Sequence, residues 1–262
     1  MITEYRYFRI YKALVARDFI VIKKRYAKVI IDSMVQLILT VFLFGSFFPL
    51  FGVPPHFIAP LFIGSQAINM FFFGMNFGLR NLFDLQHNRF IDYRLTLPLP
   101  KRWLFASYIT YFICETFALY APLFTIGILL LGPKFRIVHT SPLFFILISL
   151  ITLCFYGIFF LALSFHYEYD WFMQNVWPRR LSILFVFSPL SFLWKSAYSF
   201  SPKLAVLMLL SPLTYAIEGL RGAIIGTKQF LSPLVCISML CFFLGLAILF
   251  LAQAIKRRLD PV

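Results

Sequence analysis

Acidic residues are scarce: ten Asp and Glu stand against 24 Lys and Arg, and charged residues of either sign make up only 13% of the chain. Soluble domains carry about 25% charged residues. With 61% hydrophobic residues and a mean hydropathy of +0.86, the chain is more apolar than a packed interior requires. Those figures exclude an ordinary water-soluble domain and make the bilayer the expected solvent. The net charge of +14 does not point to nucleic acid, because the cations sit at the ends of apolar runs instead of forming a stripe. They read as topology signals and as contacts to anionic membrane lipids.

Reactive and ligating motifs are equally sparse. The four cysteines, Cys114, Cys154, Cys236 and Cys241, all lie within apolar runs, with no CxxC pair and no Cys/His cluster. They read as small apolar residues and imply neither disulfide nor metal. His166, Glu168, Tyr169 and Asp170 are polar neighbours, but they lack the HExxH spacing of a metal site and read as a loop. There is no GxxxxGK[ST], so the usual phosphate-cradling loop is missing and no cofactor is expected on this chain. No cleavable leader is expected either. The first 28 residues hold eight Lys and Arg, and no small-residue cleavage site follows a short apolar core.

What the chain has in abundance is long apolar runs. At about 20 residues per crossing, six spans are expected, near 29–51, 57–82, 103–131, 142–165, 181–198 and 231–255. The stretch 199–230 is apolar but interrupted by Ser211-Pro212 and Gly226. It reads as two short helices that dip into the membrane and return, with protein covering their irregular backbone. The expected fold is therefore an all-α integral membrane protein forming one transmembrane domain over 1–262. With six spans and the N-terminus inside, 18 of the 24 Lys and Arg fall on the inner side, which places both termini in the cytoplasm.

Within 1–28, residues 4–22 have helical periodicity. Arg6, Arg9, Lys12 and Arg17 share one arc, while Tyr7, Phe8, Tyr11, Leu14, Val15 and Ile22 face the other way. This pattern predicts an amphipathic helix lying along the inner membrane surface. Between spans two and three, over 83–102, the run NRFIDYRLTLPLPKRW (88–103) breaks the apolar pattern. Pro98 and Pro100 stop any helix near Thr96, so a short helix from about Asp84 to Leu95 is expected. It would expose Phe90, Ile91 and Leu95 among charges, which a plain connector does not need. The segment reads as a docking element for a partner protein or as a helix held at the lipid surface.

"IDYRLTLPLPKRWLFASYI" (91–109) resembles the segment of ABC-2 type transporter permeases in which a short coupling helix precedes the third span. "SPLTYAIEGLRGAIIG" (211–226) resembles that family's second signature, just before the last span. Order, chain length, span number and an amphipathic N-terminal helix agree with the resemblance. The chain departs from the family pattern at Trp194-Lys195, where members often carry a small Ser-Gly pair. The resemblance implies the permease subunit of an exporter in the bacterial inner membrane, paired with a second copy or a paralogue. Two copies of a separate ATPase would use ATP and Mg. It further implies that Asp84, Arg89, Phe90, Ile91, Asp92, Arg94 and Leu95 form the coupling element held by that ATPase. Its cargo class stays open among lipid, glycolipid, polysaccharide and drug-like molecules.

Polar residues inside the spans are the other candidates. Gln66, Asn69, Asn76 and Arg80 share one face of span two. They read either as part of a translocation path or as interhelical hydrogen bonds. Gly74 and Gly78 in the same span favour close helix packing. Glu115 lies near the middle of span three, with Tyr108, Tyr111 and Pro122 on its face and no mid-span cation to pair it. A gating role and simple structural bonding are both open. Glu218 and Arg221 are three residues apart on a helix and read as a gate or as a local ion pair. Two rival functions remain: a polytopic membrane enzyme acting on a lipid, for which only 166–170 offers chemistry, and an ion-coupled carrier using Glu115.

Overall fold

The first helix, α1 (Ile2–Phe42), is unbroken over 41 residues. The reason is plain in the sequence: Gly45 is the first glycine and Pro49 the first proline, so no residue before them forces a bend. The computed structural model describes residues 2–132, 135, 141–190, 192–227 and 229–259, without the side chains of Ile2, Thr3, Arg6, Asp92, Val186 and Leu259. It corrects the expectation of a separate surface helix over 4–22, because that segment and the span expected at 29–51 are one rod. The apolar face of the N-terminal half finds a protein partner instead of a lipid surface. Along α5 (Lys101–Leu131), Arg102 donates to Glu4 at 2.8 Å, Tyr11 and Thr110 hydroxyls meet at 2.8 Å, and Tyr26 donates to the Ala118 carbonyl at 2.7 Å. A Cβ on Gly45 would lie 3.0 Å from Leu131. The two helices therefore run parallel for nearly their whole length.

A wide π turn over Leu43–Phe47 and the short α2 (Phe48–Leu50) close the first rod. Next comes α3 (Ile58–Phe83), which packs against α6 (Pro142–His166). A Cβ on Gly74 or Gly78 would stand 2.9 Å from Phe160, so this pair of glycines is what lets α6 come so close. The last helix, α12 (Pro233–Leu259), lies parallel to α6: the rings of Phe155 and Phe243 are 6.4 Å apart, and those of His166 and Phe250 are 5.4 Å apart. Five helices are long and apolar enough to cross a membrane, or six if one bent pair counts as a span. Among the described residues every regular element is helical.

The fifth expected span, 181–198, is not a continuous helix. A helical stretch made of α7 (Tyr169–Trp171), a ten-residue π segment and α8 (Ser182–Val186) stops at Phe187. Pro189 lies two residues on; it cannot donate a backbone hydrogen bond and disfavours helix in the residue before it. The run that traverses the bundle beside α3 is instead 169–190, in the opposite direction. Tyr169 is 6.1 Å from Phe83 and Phe185 is 4.7 Å from Phe71, ring to ring, and the Leu190 carbonyl is 3.2 Å from where a Gly64 Cβ would be. Asp170, Arg179 and Arg180 lower the hydropathy of this run, which displaced its expected position toward the more apolar 181–198.

After α9 (Trp194–Phe200), the pair α10 (Pro202–Met208) and α11 (Pro212–Ile225) meets at a bend of 97°. The break falls at Ser211-Pro212, where the sequence places it. The corner is held by Thr214, whose hydroxyl donates to the Met208 carbonyl at 2.7 Å. α11 is enclosed between α3, α6 and α12, with Leu213 through Ile224 all buried.

Candidate functional site

One end of the bundle gathers charge. α3 continues past Phe83 through a π turn, Asp84–Asn88, to Arg89, whose φ of 51° and ψ of 29° are left-handed. The helix expected from Asp84 to Leu95 is thus two pieces, and the second, α4 (Phe90–Leu95), is only six residues long. Asp84 makes the break workable. Its carboxylate accepts from the backbone N–H of Phe90 at 3.3 Å and of Ile91 at 2.9 Å, replacing the partners that a helix start lacks.

The expectation that Ile91 is an exposed anchor is corrected. Ile91 is 1% exposed, in the chain's own core, and Leu95 is half-buried against it. Outward face Arg89, Phe90 (42% exposed) and Tyr93 (62% exposed). The Asp92 side chain lies outside the described residues. Arg94 also turns inward: it donates to Asp18 at 3.1 Å, and its guanidinium is 4.4 Å from the centre of the Tyr108 ring and 5.0 Å from that of Phe90. Arg17 donates to the same Asp18 oxygen at 2.7 Å. A buried guanidinium lying on aromatic faces gains cation–π attraction there. Together these contacts fasten α4 to α1 and α5.

Next to α4 is a cavity of about 580 Å³, lined by residues of α1, α3, α4 and α5. Four arginines, Arg17, Arg25, Arg80 and Arg94, and two aspartates, Asp18 and Asp84, stand on its wall beside Phe77, Tyr108 and Tyr111. Asp18 and Arg17 have no place among the residues singled out in the sequence for chemistry. The available signal was that Asp18 is the lone acid between Glu4 and Asp32 in a strongly basic stretch.

Glu115 is not left unpaired, as the sequence implies. Arg80 reaches it with two donors, at 2.9 and 3.4 Å, which engages both carboxylate oxygens in a forked pair. Arg80 lies near the end of α3 and Glu115 at the middle of α5; the two helices run antiparallel and nearly level, with Phe77 against Phe112 and Phe62 against Phe124, so the long arginine side chain reaching along α5 makes the pair. Tyr108 stacks on Arg94 and serves that cluster.

The polar face of α3 divides. Gln66 is buried and Asn69 half-buried beside a crevice of about 10 Å³ shared with Ser33, Gln36 and Tyr120. Gln36 donates to Asn69 at 3.1 Å. A space this size holds about one water, so in this conformation it is a seam between helices. Asn76 is exposed and Arg80 opens on the basic cavity.

At the opposite end Glu218 and Arg221 are fully buried and paired at 3.2 Å. Arg221 also donates to the carbonyls of Pro60 (2.8 Å), Pro189 (2.6 Å), Leu190 (2.7 Å) and Phe192 (3.0 Å). Those last three oxygens belong to the break after α8, where no helix satisfies them. Every guanidinium nitrogen is engaged, so the arrangement is a clamp joining α11, α3 and the broken fifth run. The N–H of Trp194 adds a contact to Glu218 at 3.4 Å, and its indole donates to the Ala205 carbonyl at 3.0 Å. Among the described residues no three His, Cys, Asp or Glu side chains gather as a metal site, and His166 lies against the rings of Tyr167 and Phe250.

Comparison with protein-family models, with curated proteins and with solved structures finds no match to this chain. The functional reading therefore rests on the residues and their arrangement.

Proposed function

We propose that this chain is the membrane-spanning permease subunit of an ATP-driven exporter in a bacterial inner membrane. In this reading its cargo is a lipid, glycolipid, polysaccharide or drug-like molecule. Hydrolysis belongs to two copies of a separate ATPase, and a second permease copy, or a paralogue, completes the unit with both termini cytoplasmic. The observation that carries the reading is the build of α4. It is a very short helix beyond the apolar runs, anchored inward by Ile91 and Arg94 and presenting Phe90 and Tyr93 outward. A rigid knob with two aromatic faces suits a cleft on a partner protein, since aromatic anchors dominate interface energetics. The chain's resemblance to ABC-2 permeases in this segment and the missing phosphate loop agree with it.

The test is retention of a co-expressed ATPase, taken from a gene neighbouring this one, on purified chain. Phe90→Asp and Tyr93→Asp should each reduce retention at least tenfold, because buried aromatic anchors at interfaces exceed about 2 kcal/mol. Yield and thermal stability should be unchanged in Tyr93→Asp, whose side chain faces outward, and somewhat lowered in Phe90→Asp, which also loses the ring beside the Arg94 guanidinium. If both variants hold the ATPase as well as the parent does, α4 is not the coupling element and the exporter reading loses its support.

A further inference from the structure

The basic cavity between α1, α3, α4 and α5 has an unbalanced charge and unused hydrogen-bonding groups. Its four arginines are opposed by three carboxylates: Asp18 and Asp84 on the wall, and Glu115 behind Arg80. Arg17 and Arg94 lean on a single oxygen, Asp18 Oδ1, and Arg25 has no ion pair or hydrogen bond among the described residues. One positive charge is therefore left over. An arginine cannot relieve this by losing its proton. Three atoms on buried residues also lack partners: Arg94 Nε, the Tyr108 hydroxyl and Asp18 Oδ2. Arg94 is 7% exposed, Tyr108 8% and Asp18 6%. Orphaned polar groups at this depth are costly. Two of these atoms are donors suited to an anion, and the third accepts from a hydroxyl.

The rest of the wall is apolar or aromatic: Val21, Phe77 and Phe90. At about 580 Å³ the cavity has the size of a small-molecule site. It lies where the apolar run of α1 begins, past Lys28, and where that of α3 ends. Basic pockets between helices at this level bind lipid heads. We propose that this cavity is a binding site for a phosphodiester lipid whose head carries a hydroxyl group. Its one negative charge matches the one surplus positive charge. The phosphate oxygens accept from Arg25 and, once the side chains that cover them turn aside on binding, from Arg94 Nε and the Tyr108 hydroxyl; a head hydroxyl donates to Asp18 Oδ2 in the same way, and the first carbons of the chains lie against Phe77 and Val21. A phosphomonoester carries more charge than the site can balance, and a zwitterionic head supplies neither the net charge nor the hydroxyl. The inference does not depend on the exporter reading, since a carrier or an enzyme could hold the same lipid.

The experiment is native mass spectrometry of the purified full chain after exposure to vesicles of phosphatidylglycerol, phosphatidic acid or phosphatidylcholine, with thermal midpoints measured in parallel. The parent should retain phosphatidylglycerol about tenfold over phosphatidylcholine, with phosphatidic acid between them. Tyr108→Phe removes only a hydroxyl that has no internal partner, so the fold should persist. It should lower phosphatidylglycerol retention severalfold, as loss of one hydrogen bond to a charged group does. Arg25→Gln changes an exposed residue and should act in the same direction. The neutral Tyr108→Phe change separates this site from general attraction between a basic protein and an acidic membrane. Equal retention of phosphatidylglycerol and phosphatidylcholine, or full retention by both variants, would overturn the proposal. Soluble glycerophosphoglycerol stabilising the chain as strongly as the lipid would overturn the lipid assignment and leave a site for a free phosphodiester.

Discussion

Arg221 shows what one side chain can do where a helix fails. The carbonyls of Pro189, Leu190 and Phe192 have no helical partners, and the guanidinium fork reaches all three while also holding Glu218 and Pro60. Lysine has a compact head with three donors and no planar fork. Arg221→Lys keeps the charge but leaves at least one of these carbonyls without a donor, and should therefore destabilise the chain by about 1–3 kcal/mol. Glu218→Gln keeps an acceptor for Trp194 and for Arg221 but leaves the buried guanidinium without its counter-charge, and should cost more, about 3–5 kcal/mol. Thermal midpoints in mild detergent check the order, and equal midpoints for both variants and the parent would contradict the clamp. The sequence makes this pair legible as i, i+3 neighbours but hides its partners, which lie 29 to 161 positions away. The Arg80–Glu115 pair was hidden for a related reason. Periodicity assigns faces to helices but neither which helices pack together nor how far a long side chain reaches along its neighbour.

At the scale of elements, the contact of α3 with α6 is tightly constrained. A Cβ at Gly78 would stand 2.9 Å from Phe160 Cβ and 3.0 Å from its carbonyl oxygen, and backbone cannot yield as a side-chain tip can. Gly78→Leu should destabilise by at least about 1–3 kcal/mol through overpacking, read as a lower thermal midpoint, whereas Gly245→Leu, with nothing within 4 Å, should leave it unchanged. Elements whose signal is local were legible in the sequence. The long apolar runs, the corner at Ser211-Pro212 and the glycine pair in α3 all follow from composition and punctuation. The fifth run was not, because exposed charges at Arg179 and Arg180 lower the hydropathy of the helical run that lies along α3. Nor was the inward turn of Ile91: a six-residue helix has too few positions for periodicity to say which side is covered.

The helix directions set the two ends of the whole molecule apart. The turn after α1, the start of α3 and the clamp at Arg221 share one end; α4, Arg94 and the basic cavity share the other. Phe51→Cys and Arg89→Cys, both exposed, should accordingly label from opposite sides; under the proposed orientation, with both termini cytoplasmic, Phe51→Cys labels in intact cells and Arg89→Cys only in inverted vesicles. Labelling of both from one side would contradict a membrane placed across the bundle.

The unbroken length of α1 has a consequence for the silhouette of the protein against the bilayer. At 1.5 Å per residue a 41-residue helix is about 61 Å long, twice the roughly 30 Å hydrocarbon layer. Even at a steep tilt of about 40° it reaches some 47 Å along the membrane normal. Its companion α5 is about 46 Å long and runs beside it in register. About 15 Å of paired helix stands clear of the hydrocarbon if the pair is upright, and about 5 Å at the steep tilt. Any soluble partner on that side meets a raised mast with α4 buttressed against its flank, and a torque applied to the mast foot is felt along the full height of two helices at once.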